Sequence, residues 1–202
     1  MEKEIIGVAS GLLVILSGVP YAVRTYQGKI KPNLTSWSLW SFIGLAILLT
    51  YESSGASHNV WPAVFGFLSP FIITILVIRQ GKWKRFNKVD KISFFFGVSA
   101  LVMWVIMKEE RLLVQYALYT AILADLCAAV PTMFFVWKNP SDDRPFAWTL
   151  YAFGYGLAIF AIEAHTFSNY ILPLYMFFGA MFIALPLLLY RWKERTPIRD
   201  WV

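Results

Sequence analysis

Seven apolar runs, separated by short segments that carry most of the charged residues, dominate the pattern of this 202-residue chain. Each run is close to the ~20 residues that an α-helix needs to cross ~30 Å of hydrocarbon. Because a bilayer offers no water to backbone polar groups, such runs predict helices rather than irregular segments. The runs cover residues 5–23, 35–51, 60–78, 92–107, 112–137, 146–162 and 169–190.

The composition agrees with a membrane protein. Hydrophobic residues make up 58% of the chain and charged residues 15%, and the mean hydropathy is +0.59. These values are far more apolar than those of an ordinary soluble domain. We therefore predict an all-α integral membrane protein of seven transmembrane helices, with the lipid bilayer as its surroundings. The net charge of +6 does not predict nucleic-acid binding, because the topology explains where the charges lie.

The chain also repeats itself. Residues 12–82 align without a gap on residues 123–193 at a constant offset of 111. Fourteen aligned positions are identical, where roughly five are expected by chance. The identical pairs include Pro20/Pro131, Trp37/Trp148, Glu52/Glu163, Pro62/Pro173, Phe67/Phe178 and Lys82/Lys193.

The unmatched fourth run gives the duplication a structural meaning. Two units of three helices joined directly would point in opposite directions, because three is odd, and one extra helix restores the parallel arrangement. We predict two parallel three-helix bundles joined by a linker helix. The first repeat covers residues 1–85, the linker helix 86–110, and the second repeat 111–202 with a short basic C-terminal tail.

Loop charges predict the orientation. If the helices alternate in direction, one side of the membrane holds 15 lysines and arginines and the other holds 3. The positive-inside rule then places the N-terminus outside and the C-terminus in the cytoplasm. The basic stretch before the fourth run is interpreted as a cytoplasmic anchor.

Four prolines occupy equivalent positions in the two repeats. Pro20 and Pro131 fall about four residues from the cytoplasmic ends of the first and fifth helices, where each should bend its helix. Pro62 and Pro173 lie near the outer ends of the third and seventh helices, in the first turn, which tolerates proline. A structural role is the alternative to paired hinges of the kind that transporters use.

Asp125 is the most selective signal in the chain. It lies midway along the fifth run, close to the bilayer centre, where an unpaired carboxylate costs at least ~3 kcal/mol. Its counterpart in the first repeat is Val14, so the duplication does not explain it. A low-dielectric environment favours the neutral carboxyl, which makes Asp125 a candidate proton carrier. The alternative is a structural hydrogen bond to a tyrosine or serine.

Glu52 and Glu163 are equivalent residues at the outer ends of the second and sixth helices. We expect them to face each other across a central pathway as an acidic vestibule, with two solvated carboxylates as the alternative. His58 and His165 share this outer face, but the spacings match no metal motif. Phosphate-binding loops and serine elbows are missing as well, so we predict no enzyme activity, no metal and no cofactor.

Two smaller patterns keep alternatives open. Gly7 and Gly11 form a small-xxx-small pair that predicts close helix packing, and the alternative is a seam between two copies in a homo-oligomer. Trp37 and Trp148 lie near the cytoplasmic starts of their helices. They are interpreted as interfacial anchors, with a stacking surface for a ligand as the alternative.

These features together resemble the PQ-loop/SWEET superfamily of small-solute transporters. The resemblance rests on the three-plus-one-plus-three organisation, on Pro20 and Pro131, and on a tryptophan seventeen residues after each of these prolines. The Pro-Gln pair itself is absent, since Tyr21 and Thr132 follow the prolines. The resemblance implies a central pocket between two triple-helix bundles.

The resemblance also implies site residues. Sugar-carrying members place polar residues on the third and seventh helices, where this chain has Ser69 and the stretch around Phe178. Lysosomal amino-acid exporters of the superfamily couple to protons through an acid on helix five, a role that Asp125 would fill. Tyr51 joins the candidate pocket by its position in the family pattern.

We therefore predict an alternating-access transporter of a small polar or amphipathic solute such as a sugar, amino acid or vitamin, with proton coupling left open. The predicted substrate-binding residues are Tyr51, Glu52, Ser69, Glu163 and Phe178. The alternative is a non-transporting seven-helix receptor or assembly protein, as in the KDEL-receptor branch of the superfamily. A membrane enzyme acting on lipid is less favoured, because Asp125 and the outer acids lie at different depths.

Overall fold

Seven α-helices make up most of the computed structural model, which describes residues 1–30, 33–78 and 85–201. Short 3-10 turns lie at His58–Val60, Ile159–Ala161 and Ile198–Asp200. No strand occurs within these described ranges, so the all-α prediction is confirmed for them. The helices are α1 (Glu2–Tyr26), α2 (Leu34–Ser53), α3 (Trp61–Ile78), α4 (Lys88–Met107), α5 (Arg111–Lys138), α6 (Pro145–Ala158) and α7 (Phe167–Lys193).

Six of these helices are long and apolar enough to cross a bilayer, which indicates an integral membrane protein. Their outward faces carry large hydrophobic side chains, such as Phe95 at 66% exposure and Ile106 at 73%. A lipid environment accepts these surfaces, whereas exposed apolar patches of this extent are rare on soluble monomers.

The sixth predicted span, 146–162, is occupied by α6 and the 3-10 turn after it. α6 has 14 residues and the 3-10 turn after it adds 3, which together reach roughly 25 Å. The helix ends because Ile162 adopts an extended backbone with ψ of 128°.

Polar caps explain where several helices begin. The Asn33 side chain accepts a hydrogen bond from the Thr35 amide at 3.2 Å, at the start of α2. Asn87 and Asp90 form a reciprocal capping box at the start of α4, with both hydrogen bonds at 2.9 Å. These side chains satisfy amide groups that the first turn of a helix leaves without partners. The helix starts thus follow from local sequence.

Helix packing follows the same pattern in both halves of the chain. α3 packs against α1 and α2, and α7 packs against α5 and α6. The halves meet where α1 packs on α6 and α2 packs on α5, while α4 packs on α5 and α2. The α2 start at Leu34 and the α6 start at Pro145 differ by the repeat offset of 111.

Two glycines allow α1 to approach its neighbours closely. A Cβ added at Gly7 would collide with the carbonyl oxygen of His58, in the turn before α3. A Cβ at Gly154 of α6 would lie 2.7 Å from Cγ2 of Val14 and 2.9 Å from the carbonyl oxygen of Ser10. The small residues of α1 and α6 therefore serve packing within the chain.

The prolines keep helical geometry on both sides. Pro20 lies within continuous α1, Pro131 lies within continuous α5, and Pro62 is the second residue of α3. Pro173 differs from the prediction, because it lies inside α7 well past the first turn. The reason is Thr166, whose side chain accepts from the Asn169 amide and starts the helix earlier than its counterpart in α3. A hinge role for the four prolines stays a prediction.

Four basic residues of the predicted loops lie outside the residues that the structure describes. They include the repeat partner of Lys193 and part of the basic stretch before α4. These residues are Lys31, Arg79, Lys82 and Lys84.

Candidate functional site

A cavity of about 360 Å³ lies between the two halves of the chain. Its volume falls within the range of small-molecule sites in proteins. Residues of α1, α2 and α3 line one side, and residues of α5, α6 and α7 line the other. Seven of the described lining residues are aromatic: Tyr21, Trp37, Trp40, Trp148, Tyr151, Tyr155 and Tyr175.

Much of the lining consists of residues that the repeat relates to one another. At each such position, the residue and its partner 111 positions later both face the cavity. The related pairs are Gly18/Ala129, Tyr21/Thr132, Trp37/Trp148, Trp40/Tyr151, Gly44/Tyr155 and Ser69/Ala180. The two walls are therefore built on equivalent positions.

Aromatic rings pack against one another along both walls. The ring centroids of Tyr21 and Trp37 are 4.8 Å apart, and those of Trp37 and Trp40 are 5.4 Å apart. On the facing wall, the centroids of Tyr151 and Tyr155 are 5.0 Å apart. Such pairs hold each other's ring orientation. The open interpretation of Trp37 as part of a stacking surface is compatible with this position.

Asp125 brings a carboxylate to the cavity wall. It is half-buried, and its Oδ2 accepts a hydrogen bond of 2.8 Å from the hydroxyl of Tyr175 on α7. The first-repeat counterparts are Val14, which is fully buried, and Val64. The acid and its tyrosine partner therefore occur only in the second repeat.

One end of the molecule is rich in arginine, and we call it the basic end. Arg191 donates to the backbone carbonyl of Asp143 at 3.0 Å, and Trp148 donates to the Asp143 carboxylate at 3.0 Å. Burial lowers the pKa of the Arg144 guanidinium, and the charges of Arg24 and Arg191 lower it further. Asp143, Tyr21 and Trp148 line the cavity, so the cavity extends to this end.

The opposite end, which we call the Glu163 end, is closed by buried polar contacts. The hydroxyl of Tyr51 donates to the carbonyl of Asn169 at 2.9 Å and accepts from the side-chain amide of Asn59. All three residues are buried. This Tyr51 network joins α2, the turn before α3, and α7.

Further contacts cover the network at the Glu163 end. The Lys3 ammonium donates to the carbonyl of Ile162 at 2.6 Å. Glu163 accepts from the hydroxyl of Ser57 at 2.9 Å and lies 3.5 Å from the imidazole of His58. These contacts connect the two repeats across the end that the cavity does not reach.

The predicted site residues divide into two groups. Asp125 and Ser69 line the cavity. Tyr51 does not, because its hydroxyl is held in the buried network at the Glu163 end. Glu52 and Glu163 are exposed and stand outside the described lining, and Glu163 binds Ser57 and His58 instead of facing Glu52.

Phe178 also lies away from the cavity, with 64% of its side chain exposed. Helix geometry gives the reason. The described lining residues of α7 are Tyr175, Met176, Gly179, Ala180 and Ile183, which share one face at helical spacing. Phe178 is on the opposite side of that helix, next to the ring of Phe177.

Five of the aromatic lining residues were not predicted as site residues from the sequence: Tyr21, Trp40, Tyr151, Tyr155 and Tyr175. The repeat could have indicated one pair of them. Trp40 and Tyr151 are related by the repeat offset and are both aromatic, although they are not identical. Over the described ranges, no three His, Cys, Asp or Glu side chains come together as a metal site would require.

Comparison of this chain with protein-family models, with curated proteins and with solved structures finds no match.

Proposed function

We propose that this protein is an alternating-access transporter of a small polar or amphipathic solute. The observation that carries the proposal is the cavity between the two repeats, which is built from repeat-related residues and closed at one end. Transporters with internal repeats bind their solutes at the interface between the repeats and rock one repeat against the other.

The packing of the helices supports a three-plus-one-plus-three organisation. α3 packs between the other two helices of its repeat, as does α7 in the second repeat. α4 has no counterpart at the repeat offset and packs on the outside of α5 and α2. These contacts support the two triple-helix bundles that the resemblance to the PQ-loop/SWEET superfamily implies. In this proposal the basic end faces the cytoplasm and the Glu163 end faces outward.

In this proposal the described conformation is open towards the cytoplasm. Solute exchange with the other side would require the Tyr51 network and the contacts of Lys3 and Glu163 to separate. Those contacts run between the repeats, so a rocking motion would break them together. Pro20 and Pro131 would provide flexible points in α1 and α5, since each removes a backbone hydrogen bond from its helix.

Asp125 is the candidate for proton coupling. It is the one acid among the described lining residues that lies midway along a membrane-spanning helix. Tyr175 holds it at the wall through a 2.8 Å hydrogen bond, where its remaining oxygen can meet solute or a proton. Ionisable groups at this depth mark transport pathways and proton relays.

Uptake into proteoliposomes tests the proposal. The purified protein is expected to move at least one member of a panel of sugars, amino acids, vitamins and amines into liposomes. Asp125→Asn is expected to remove any dependence of uptake on a proton gradient. The exposed loop variant Glu109→Gln is the matched control and should leave uptake unchanged.

Two results would count against the proposal. Absence of uptake of every solute, with and without a gradient, contradicts transport. Saturable binding without uptake favours the alternative of a seven-helix receptor, whose cavity would need access from one end only. Unchanged proton dependence in Asp125→Asn contradicts the coupling role alone.

A further inference from the structure

The charge of the cavity lining points to a class of solute. The described lining residues include two carboxylates, Asp125 and Asp143, and no lysine, arginine or histidine. Both carboxylate oxygens of Asp143 already accept hydrogen bonds at the basic end, Oδ1 from the Arg144 amide and Oδ2 from Trp148, whereas Asp125 accepts from Tyr175 at Oδ2. Asp125 therefore remains as the negative group that a bound molecule meets inside the cavity.

The depth of Asp125 makes its charge effective. It lies 14 residues from the start of α5 at Arg111, or about 21 Å along the helix. Water screens charges poorly at this depth, so a cation near the carboxylate is attracted more strongly than at the surface. Ionisable side chains at this depth pair with one another or mark the pathways of substrates and ions.

The aromatic residues of the lining also attract cations. The faces of tryptophan and tyrosine rings carry partial negative charge and bind ammonium groups, with tryptophan the strongest. Trp37 and Trp40 stand on one wall and Tyr151 and Tyr155 on the other. Seven aromatic side chains line a cavity of about 360 Å³, so rings on both walls are available to a small cation.

Three of the tyrosine hydroxyls in the lining are already engaged, which favours a cation over a carbohydrate. The hydroxyl of Tyr175 donates to Asp125, that of Tyr155 to the carbonyl of Pro62, and that of Tyr151 to the sulfur of Met176. These donors are committed to the protein. A sugar needs many unengaged donors and acceptors, whereas an ammonium ion needs acceptors and ring faces only.

A zwitterionic amino acid also fits less well. Its ammonium group has a partner in Asp125, but its carboxylate would find no basic side chain among the described lining residues. The arginines of the basic end lie outside the described lining, where Arg191 already binds backbone carbonyls of Ser141 and Asp143. Burying an unpaired carboxylate is costly.

We propose that the cavity binds an organic cation, a small amine or quaternary ammonium ion without a carboxylate, with its charge between Asp125 and the aromatic faces. This proposal names the substrate class of the proposed transporter. That the cation is transported as well as bound rests on the proposed function. The positive charge of the bound cation takes the place of a basic side chain beside Asp125. The ring faces replace the water that the cation loses.

Choline and 3,3-dimethylbutan-1-ol form a matched pair of probes, since they share size and shape and differ in the charge. Binding to the purified protein can be followed by tryptophan fluorescence, because three of the described lining residues are tryptophans. Choline is expected to bind about tenfold or more tightly than its neutral isostere. Equal affinity for the two probes would overturn the proposal, and so would failure of choline to bind.

Two variants locate the binding. Asp125→Asn is expected to weaken choline binding about tenfold and to leave the isostere unaffected. Trp40→Leu keeps apolar volume but removes a ring face, and it should weaken choline by a smaller factor of about three. Glu109→Gln is the control at an exposed loop. If Asp125→Asn elutes as the folded wild type does and binds both probes more weakly by the same factor, the charge argument is contradicted.

The substrate class and the transport function can fail separately. Uptake of a neutral or zwitterionic solute, without choline binding, would refute the substrate class and leave transport standing. Choline binding without choline uptake into proteoliposomes would support the class and refute transport. Choline uptake that is inhibited by a second amine and not by glucose would support both the substrate class and transport.

Discussion

The Tyr51 network should control whether the Glu163 end opens. In Tyr51→Phe, the donation to the Asn169 carbonyl and the acceptance from the Asn59 amide are both lost. A lost hydrogen bond in a membrane protein costs about 0.6–1.5 kcal/mol. Of the two bonds only the one to Asn169 joins the two repeats, so the closed end should lose about 0.6–1.5 kcal/mol relative to the open end. If that bond breaks when the end opens, the open population rises roughly 3- to 13-fold.

Thiol labelling measures this population. Ser69 lines the cavity, so Ser69→Cys in a background without Cys127 reports whether reagent reaches the cavity. A membrane-impermeant maleimide is added from the side that carries Glu163. The labelling rate is expected to rise about threefold or more when Tyr51→Phe is introduced, because the reagent reacts only while that end is open.

Tyr116→Phe provides the matched control. It also removes one phenolic hydroxyl, but the Tyr116 side chain is 54% exposed and lies outside the described cavity lining. Its labelling rate should equal that of the parent. A Tyr51→Phe protein that unfolds at lower temperature but labels at the parental rate would refute the reasoning, because the network would then stabilise the fold without gating the cavity.

The remaining predictions concern packing and topology. Gly154→Ala should lower the free energy of unfolding by about 1–3 kcal/mol in thermal denaturation, because its Cβ would press on Val14 at 2.7 Å. Gly179→Ala, whose Cβ would have its nearest neighbour at 3.7 Å, should leave the melting temperature unchanged. A single cysteine at Glu109 should label from outside the cell and one at Ser141 only after permeabilisation; the reverse pattern would invert the predicted orientation.

Helix positions were predictable because they depend on the chain's local pattern. The predicted run at 92–107 ends at the same residue as α4, Met107. α5 extends one residue beyond each end of the predicted run at 112–137. Apolar length and polar interruptions decide where a membrane helix begins and ends. The run at 146–162 also agrees within one residue at each end with Pro145–Ala161, but the sequence did not show that its last turn is a 3-10 turn.

The contents of the cavity were harder to predict than the helices. Asp125 stood out because a charge in an apolar run is costly wherever it points. Tyr151 and Tyr155 gave no such signal, because aromatic residues in a membrane helix face lipid as readily as they face the interior. Tyr51 was misplaced for a different reason. Its partner Asn169 is 118 residues away, and no local pattern encodes a hydrogen bond of that range.

The near-equivalence of the two cavity walls bears on how a solute is oriented. A molecule between two identical walls would have two binding poses of equal energy, related by exchange of the walls. Trp37 and Trp148 line the two walls at equivalent positions, but Asp125 and Tyr175 stand on one wall only. Asp125 and its tyrosine partner remove that degeneracy, so a bound molecule with one charged end has one preferred orientation between the walls.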